Sequence, residues 1–298
     1  MIGIILAGGE GTRCYPTTEV ISKQLLPVYD KPMIYYSIAF LFESEIRDIL
    51  IITTPQGIEN YKRLLSDGAQ FGVTIRYVIQ DEPLGTAQAV SLAENYIGDD
   101  GCVLIYGDNF IYSHRAQTYV RQNKQMRGAN IFTYKVENPK EYGVIELSAN
   151  GKVISIEEKP KMPKSNCVMI GLMCFDKTIC EKVKSIKPSK RSEYEITDVV
   201  KAYLKTGQLT AILLEEGAMW YDLGDSQRLT EVSYMIMKEE MKSGIKIGCL
   251  EEIALNNKWI STREFIDKVQ KYKRSQYGDY LQNIIRDKSK EKILNGKD

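Results

Sequence analysis

The stretch Ile2-Gly3-Ile4-Ile5-Leu6-Ala7-Gly8-Gly9-Glu10-Gly11-Thr12-Arg13 decides how this chain reads. A short apolar run stops abruptly at three closely spaced glycines and a basic residue. A continuous apolar run bounded by glycine reads as a strand buried on both faces. Glycine admits positive φ and close main-chain approach, so successive N–H groups can converge on an anion. Arg13 adds a planar fork of donors suited to phosphate oxygens. The loop is not a P-loop, because no Gly-Lys-Ser/Thr follows, and the third glycine of the dinucleotide fingerprint is missing. A purely structural tight turn is the competing reading.

Downstream, 32–42 (P-M-I-Y-Y-S-I-A-F-L-F) reads as a buried helix with proline in its first turn. Strands are expected at 48–54, 73–79 and 102–106, and helices at 58–65 and 86–96. This alternation implies an α/β fold, a three-layer sandwich around a Rossmann-like, mostly parallel sheet. Such sheets bind ligands beyond the C-terminal ends of their strands. The 8–11 loop and Asp108 both fall there. Farther on, 144–147 and 153–157 flank Asn150-Gly151, a strong hairpin signal. A strand at 169–175, a helix at 197–205 and a strand at 210–214 lead to Met219-Trp220-Tyr221-Asp222. From 226 the texture is helical, with Ser261-x-x-Glu264 as a capping box. The charged end, 286–298, is expected to fray. The chain thus divides into an α/β domain, 1–225, with a small mixed β element at about 140–175, and a C-terminal helical extension, 226–298.

Composition excludes several classes. The 298 residues are 43% apolar and 27% charged, ordinary for a globular chain with a sizeable core. Forty Lys+Arg against 39 Asp+Glu leave +1, which argues against a general nucleic-acid binder. No apolar run approaches the length of about 18 residues needed to span a membrane, and no secretory signal is expected. The six cysteines form no C-x-x-C, so a reduced, cytoplasmic protein is expected. With one histidine, His114, a histidine triad has a single candidate and a multi-histidine metal site has none. His114 itself reads as a solvated loop residue. Any metal must then be held by oxygen, which points to Mg²⁺. Asp108 and Asp222 both follow strand-like runs. Each alone reads as a cap or turn residue, although an ion of this kind takes one or two carboxylates plus phosphate oxygens and water. Lys23, in Ser22-Lys23-Gln24-Leu25-Leu26-Pro27, is either solvated or returns to the glycine loop as a point charge.

The run from Gly3 to Tyr36, with L-A-G-G-x-G-T-R, Y-P-T-T and S-K-Q-L-L-P-V-Y-D-K-P-M-I-Y-Y, resembles the sugar-1-phosphate nucleotidylyltransferases, and most of all the glucose-1-phosphate thymidylyltransferases. The likeness continues through 80–89, Gly107-Asp108-Asn109, Tyr142-Gly143-Val144, Glu157-Glu158-Lys159-Pro160, Gly171-Leu172, Glu195-Ile196-Thr197 and Trp220-x-Asp222-x-Gly224, to near Ile285. It implies Mg²⁺-dependent transfer of a nucleotidyl group from a nucleoside triphosphate, dTTP favoured, to a hexose 1-phosphate, glucose 1-phosphate favoured. It implies nucleotide contacts from Gly8, Gly9, Gly11, Thr12, Arg13, Lys23, Gln24, Gln80, Pro83 and Gly85, and a metal held by Asp108 and Asp222. It implies sugar contacts from Asn109, Gly143, Glu158, Lys159 and Gly171, with Glu158 accepting from a hydroxyl unless it is a rim charge paired with Lys159. Arg13, Lys23, Lys159, Asp108 and Asp222 would carry catalysis, and the protein would be a homo-oligomer, a tetramer by resemblance. Tyr35, Tyr36 and Tyr142 read as packing groups rather than stacking platforms.

The chain also departs from the family pattern. Pro83-Leu84-Gly85-Thr86-Ala87-Gln88-Ala89 stands where P-D-G-L-A-Q-A is usual, Met169-Ile170-Gly171-Leu172-Met173 where V-T-G-L-Y is common, Arg191-Ser192-Glu193-Tyr194-Glu195-Ile196-Thr197 for R-G-E-L-E-I-T, and Trp220-Tyr221-Asp222-Leu223-Gly224-Asp225 for W-L-D-T-G-T. These changes leave the reaction class in place and open the identity of base and sugar, with UTP or an amino-sugar phosphate as alternatives. A catalytically silent, sugar-nucleotide-binding regulatory homologue is the alternative of another class.

Overall fold

The structure is a computed structural model and describes residues 1–294. Every residue of strand β1 (Ile2–Ala7) is buried, as a run with no polar alternation requires. A hairpin of two-residue strands, β2 (Pro27–Val28) and β3 (Lys31–Pro32), leads to α1 (Ile34–Glu43). Then come β4 (Asp48–Thr53), α2 (Ile58–Leu65), β5 (Thr74–Ile79), α3 (Thr86–Ser91) and β6 (Cys102–Tyr106). The next stretch forms β7 (Asn109–Tyr112), α4 (His114–Gln122), β8 (Ala129–Lys135), β9 (Gly143–Leu147), β10 (Val153–Glu158) and β11 (Cys167–Phe175). Helices α5 (Ile179–Ser185) and α6 (Ile196–Lys205) precede β12 (Leu209–Leu213) and β13 (Met219–Asp222). The chain closes with α7 (Ser226–Ser243), α8 (Leu250–Asn256), α9 (Thr262–Tyr272) and α10 (Gln276–Leu294).

β1 lies between β4 and β6, parallel to both, and β5 extends the parallel row beyond β4. The chain therefore leaves β1 to one side and returns on the other, which opens a crevice at the C-terminal ends of β1 and β6. Beyond β6 the sheet turns antiparallel at β11, which also pairs with β8 and β9. The two apolar faces of the sheet are covered separately. Ile5 and Ala7 pack with α1 and α8, whereas Ile4 and Leu6 pack with α3, α5 and α6. The expected three-layer α/β architecture is the observed one. The Asn150-Gly151 hairpin forms β9 and β10, an extension of the main sheet, and Ser261 and Glu264 cap α9 reciprocally.

Several boundaries differ from the sequence reading, each for a local reason. Pro32 is not helical. It sits in β3, because Tyr29 adopts φ +60 and turns the chain where asparagine or glycine would be usual. The expected helix 86–96 stops at Ser91, where Leu92 and Ala93 donate to carbonyls three residues back and tighten the last turn. His114 opens α4 rather than lying in a loop, exposed and with its ring edge-on to Tyr112. Helix α10 continues to Leu294 through the segment expected to fray, and 295–298 lie outside the described residues.

The C-terminal helices share the main core, since Leu250, Phe265 and Leu281 belong to the same apolar cluster as α1. A buried charge cluster also fastens them. Lys31, with its side chain 1% exposed, pairs with Asp30 and Glu240, and Lys246 pairs with the same two acids. No helix of the described residues is long and apolar enough to cross a membrane.

Candidate active site

Asp108 and Asp222 are far apart in sequence, and one small ladder joins them. β13 runs antiparallel to β7 with Asp222 opposite Asn109, and the Leu223 N–H donates to the Asp108 carbonyl at 2.9 Å. The Gly107 N–H donates to the Leu6 carbonyl at 2.9 Å, which fixes this turn against the end of β1. Both carboxylates therefore stand at the C-terminal edge of the parallel row, each with its side chain 18% exposed.

Cations cover the pair. Lys23, buried in a short 3₁₀ turn, donates to Asp108 Oδ2. Arg13 Nη2 stands 3.9 Å from Asp222 Oδ2, and Arg228 Nη1 stands 3.7 Å from the same oxygen. The Arg13 guanidinium lies against Gly224, where a β-carbon would crowd its Nη2 and push it aside. Burial, and then the neighbouring Asp108, push Asp222 up to about 6, against the pull of Lys23, Arg13 and Arg228. Burial alone would lower the Lys23 ammonium, yet Asp108 and Asp222 hold it above its ordinary value. Among the described residues no group of three or more His, Cys, Asp or Glu side chains forms a metal cage. Two carboxylates with cations already beside them instead fit a hard ion that draws its remaining ligands from phosphate and water.

Gly8, Gly9, Gly11 and Thr12 form the mouth of the loop after β1, with Gly9 at φ +102 and Gly11 at φ +65. Beneath it lies Gln24, expected as a nucleotide ligand but 2% exposed. Its amide is occupied by the Gly8 carbonyl and the Tyr61 hydroxyl, so it braces the loop from below. Beside the loop, Gly8, Gln80, Pro83 and Gly85 line a cavity of about 240 Å³. Gln80 Nε2 donates to the Gly85 carbonyl (3.3 Å) and to Gln88 Oε1 (2.6 Å), while its Oε1 is turned towards Gly8. Gly85 has φ +108, and a β-carbon on it would lie 2.5 Å from the Tyr194 carbonyl, so residue 85 must be glycine for 84–87 to dock against 194.

A second cavity, of about 350 Å³, adjoins the first at Thr86 and Glu193 and is lined by Asn109, Gly143, Glu158, Lys159 and Gly171, and by Arg13, Asp108 and Asp222. The expected sugar residues thus share one cavity, but not all with free polar groups. Asn109 is buried, and its Oδ1 accepts from the Gly171 N–H (3.1 Å) and from Trp220 Nε1 (2.7 Å). Asn109 and Gly171 therefore hold each other in place. The charge partner of Glu158 within 4 Å is Arg191, at 3.7 Å, rather than Lys159. Burial and the nearby Glu195 raise the Glu158 carboxyl, against Lys159 and Arg191. Lys159 is exposed at φ +43 directly before Pro160, with its N–H on the Tyr142 carbonyl at 3.0 Å. A lysine held in that conformation stores strain of order 1–3 kcal/mol, which clusters at ligand-binding positions. Tyr35 and Tyr36 are core residues, and Tyr142 packs edge-on against Trp220.

Sequence reasoning gave no individual role to Gln88, Arg191 or Arg228. Gln88 and Arg191 lie inside blocks that carry the family resemblance, but only their tertiary partners single them out. Arg228, in the first turn of a polar helix, has no sequence signal at all.

Comparison with known proteins gives the family. The Nucleotidyl transferase family model matches residues 2–239. A glucose-1-phosphate thymidylyltransferase of Neisseria meningitidis is 44% identical over 96% of this chain and 100% of its own length. A Bacillus anthracis chain described as a glucose-1-phosphate thymidylyltransferase, crystallised with a sucrose, superposes with TM-score 0.74 at 39% identity, covering 79% of this chain and 95% of that one. A UDP-glucose pyrophosphorylase complexed with UDP-glucose superposes with TM-score 0.70 at 25% identity, covering 80% and 98%. The glycine loop, the aspartate pair and the two adjoining cavities thus belong to a nucleotidyltransferase, a member of the Nucleotidyl transferase family.

Proposed function

We propose that this enzyme joins a nucleoside triphosphate, dTTP favoured, to a hexose 1-phosphate, glucose 1-phosphate favoured, giving an NDP-sugar and pyrophosphate with Mg²⁺. The observation that carries this reading is the Asp108–Asp222 pair, which lines a polar cavity adjoining the glycine-loop cavity, with Lys23 and Arg13 beside it. The names of the relatives support the choice of substrates.

The sugar phosphate is already ionised at neutral pH, so its oxygen attacks the α-phosphorus without a protein nucleophile. The bond to the bridging oxygen breaks, and pyrophosphate leaves with the electron pair. The protein must bring two anions together and align them. The N–H groups of Gly8, Gly9, Gly11 and Thr12 face the triphosphate. Lys23 and Arg13 exchange their aspartate partners for phosphate oxygens, and Lys159 takes the phosphate of the sugar. Glu158 accepts from a sugar hydroxyl, while Asn109, Gly143 and Gly171 shape the wall behind it. Held by Asp108 and Asp222, Mg²⁺ supplies charge neutralisation at the triphosphate. Gln80 Oε1 accepts from N3–H of thymine or uracil along the Gly85 and Pro83 edge. The reading includes a catalytic unit at 1–225, a helical extension at 226–298 and a homotetramer.

Pyrophosphate release with dTTP, UTP, CTP, ATP and GTP, each against glucose 1-phosphate and an amino-sugar phosphate, tests the proposal. The expected result is turnover with dTTP ahead of UTP. The two bases differ by one methyl, worth roughly 10- to 200-fold in an apolar pocket. UTP ahead of dTTP selects the UDP-sugar alternative, which the likeness to a UDP-glucose pyrophosphorylase favours. A purine or CTP ahead of both overturns the account of Gln80. No release with any pair selects the silent binding homologue.

A further inference from the structure

Asp222 Oδ2 is flanked by two guanidinium groups, and neither is within hydrogen-bond distance: Arg13 Nη2 at 3.9 Å and Arg228 Nη1 at 3.7 Å. The two arginines are held differently. The Arg13 side chain is 56% exposed and rests on the edge of the glycine loop. Arg228 is tied down on two sides, its Nη2 bonding Glu141 Oε2 at 3.1 Å and its Nε standing 3.5 Å from Asp225 Oδ2. Asp225 also caps α7 by accepting from the Arg228 N–H at 2.9 Å. This acid stands where the family pattern has a threonine. The Arg228 Nη1 nitrogen is buried and makes no hydrogen bond. A buried donor on a charged group left unsatisfied is costly, so it favours any rearrangement that supplies an acceptor. The acceptor in reach is Asp222 Oδ2, less than one ångström beyond bonding distance.

We propose that Arg228 is a positioning residue that takes over Asp222 Oδ2 when Arg13 leaves it for the triphosphate. This rests on the functional reading above, in which Arg13 exchanges Asp222 for a phosphate oxygen. Once Arg13 departs, Arg228 is the remaining cation within 4 Å of Asp222 among the described residues. Its shift supplies the missing Nη1 bond and fixes Oδ2 of the Asp222 carboxylate. The same guanidinium holds Glu141, whose neighbours Tyr142 and Gly143 line the sugar-side cavity. Arg228 therefore ties the metal-side carboxylate to the turn that receives the sugar.

The experiment combines the structure of the dTTP complex with pyrophosphate-release kinetics of Arg228→Met, Arg228→Lys and Glu141→Gln, each first checked by circular dichroism and thermal melting. In the dTTP complex, Arg13 is expected on a phosphate and the Arg228 Nη1 to Asp222 Oδ2 gap closed to a hydrogen bond. Arg228→Met is expected to lose tenfold or more in kcat and to raise KM for the sugar phosphate, with KM for dTTP nearly unmoved. Arg228→Lys is expected to recover kcat in part but not the sugar-phosphate KM, because one ammonium cannot span both carboxylates. Glu141→Gln is expected to raise the sugar-phosphate KM more than it lowers kcat. Wild-type turnover with the gap still open in the complex, or Arg228→Met differing only in melting temperature, overturns the relay. A wild-type protein that releases no pyrophosphate from any substrate pair overturns the functional reading and the relay with it.

Discussion

In the proposed reading, the nucleotide meets chiefly main-chain atoms of turns, whereas the sugar phosphate meets side chains held by other side chains. The glycine loop follows β1 directly, and the Gly85 turn opens α3, so the parallel strand order alone brings both to one edge. The sugar cavity instead depends on the β7–β13 ladder, on a register break in β11 between Met169 and Met173, and on the Gly171–Asn109–Trp220 chain of hydrogen bonds. A main-chain site tolerates changes in side-chain identity as long as its glycines remain. A braced side-chain site loses several groups when one is altered. The Asp108–Asp222 pair is the seam between the two constructions.

The seam gives the largest expected effect. Asp108→Ala and Asp222→Ala should each lose about 10²–10³ in turnover, the usual cost of removing an electrostatic stabiliser of the transition state. Because the seam serves both substrates, kcat should fall in each variant with the fold intact by circular dichroism. Near-normal turnover of either variant with Mg²⁺ present would separate the two aspartates and remove the shared metal site.

Lys159 distinguishes the two sides. Lys159→Gly keeps the left-handed backbone at φ +43 and removes only the charge, whereas Lys159→Ala also strains the turn. A lost hydrogen bond to a charged group is worth about 1.5–3 kcal/mol, or roughly 10- to 150-fold. KM for the sugar phosphate should rise by that factor in Lys159→Gly, and KM for dTTP should stay within about twofold. An equal rise for both substrates, measured by separate titrations, would place Lys159 on the seam instead.

What could be read from sequence follows the same division. The parallel core was legible because buried runs such as 2–7 and 48–53 carry no alternation and end at turn residues. The glycine loop was legible because glycine spacing encodes backbone conformation directly. Arg191 on Glu158, Gln24 beneath Gly8 and Arg228 behind Asp222 were not legible, because each acts across elements distant in the chain. The β2–β3 hairpin was hidden by a tyrosine at φ +60, whose cost is met by tertiary contacts such as its N–H on Ser233 Oγ. Asn109 lines the same cavity as Gly143 and Lys159, but its Oδ1 is taken by the Gly171 N–H and Trp220 Nε1, and no local pattern reports that.

The seam also has a pH signature. Asp222 is raised to about 6 from an ordinary value near 3.8, first by burial and then by Asp108. In the proposed reading it must be ionised to hold a cation, so kcat/KM should fall about tenfold per pH unit below 6. For stability the sign is opposite. A raised carboxyl contributes stability that is fully present below its unfolded pKa and lost as pH rises through the folded value near 6. Asp222→Asn should therefore melt higher than the parent at pH 8, by at most about 3 kcal/mol, while losing turnover. An acid limb centred near 4, together with an unchanged melt for Asp222→Asn, would show that the burial cost is absent.

The smallest effect separates main-chain from side-chain recognition within the nucleotide pocket itself. Gln80 can present either end of its amide to a base, and thymine and cytosine demand opposite ends at N3. Two acceptors fix the choice: the Gly85 carbonyl at 3.3 Å and Gln88 Oε1 at 2.6 Å both take the Nε2 hydrogens, which leaves Oε1 to meet N3–H. Of the two, the Gly85 carbonyl is main chain and survives any side-chain change, while Gln88 can be removed. Gln88→Leu fills similar space without the acceptor, so the amide keeps one anchor of two. One neutral hydrogen bond is worth about 0.5–1.5 kcal/mol, or roughly 2- to 12-fold. The preference for dTTP over CTP in kcat/KM should shrink by that factor, chiefly through better use of CTP, while dTTP over UTP stays as it was because both present the same N3–H. If Gln88→Leu instead weakens dTTP and UTP without helping CTP, the amide is oriented by Gly85 alone, and the base edge is read on the nucleotide side in the same way as the phosphates, through the main chain.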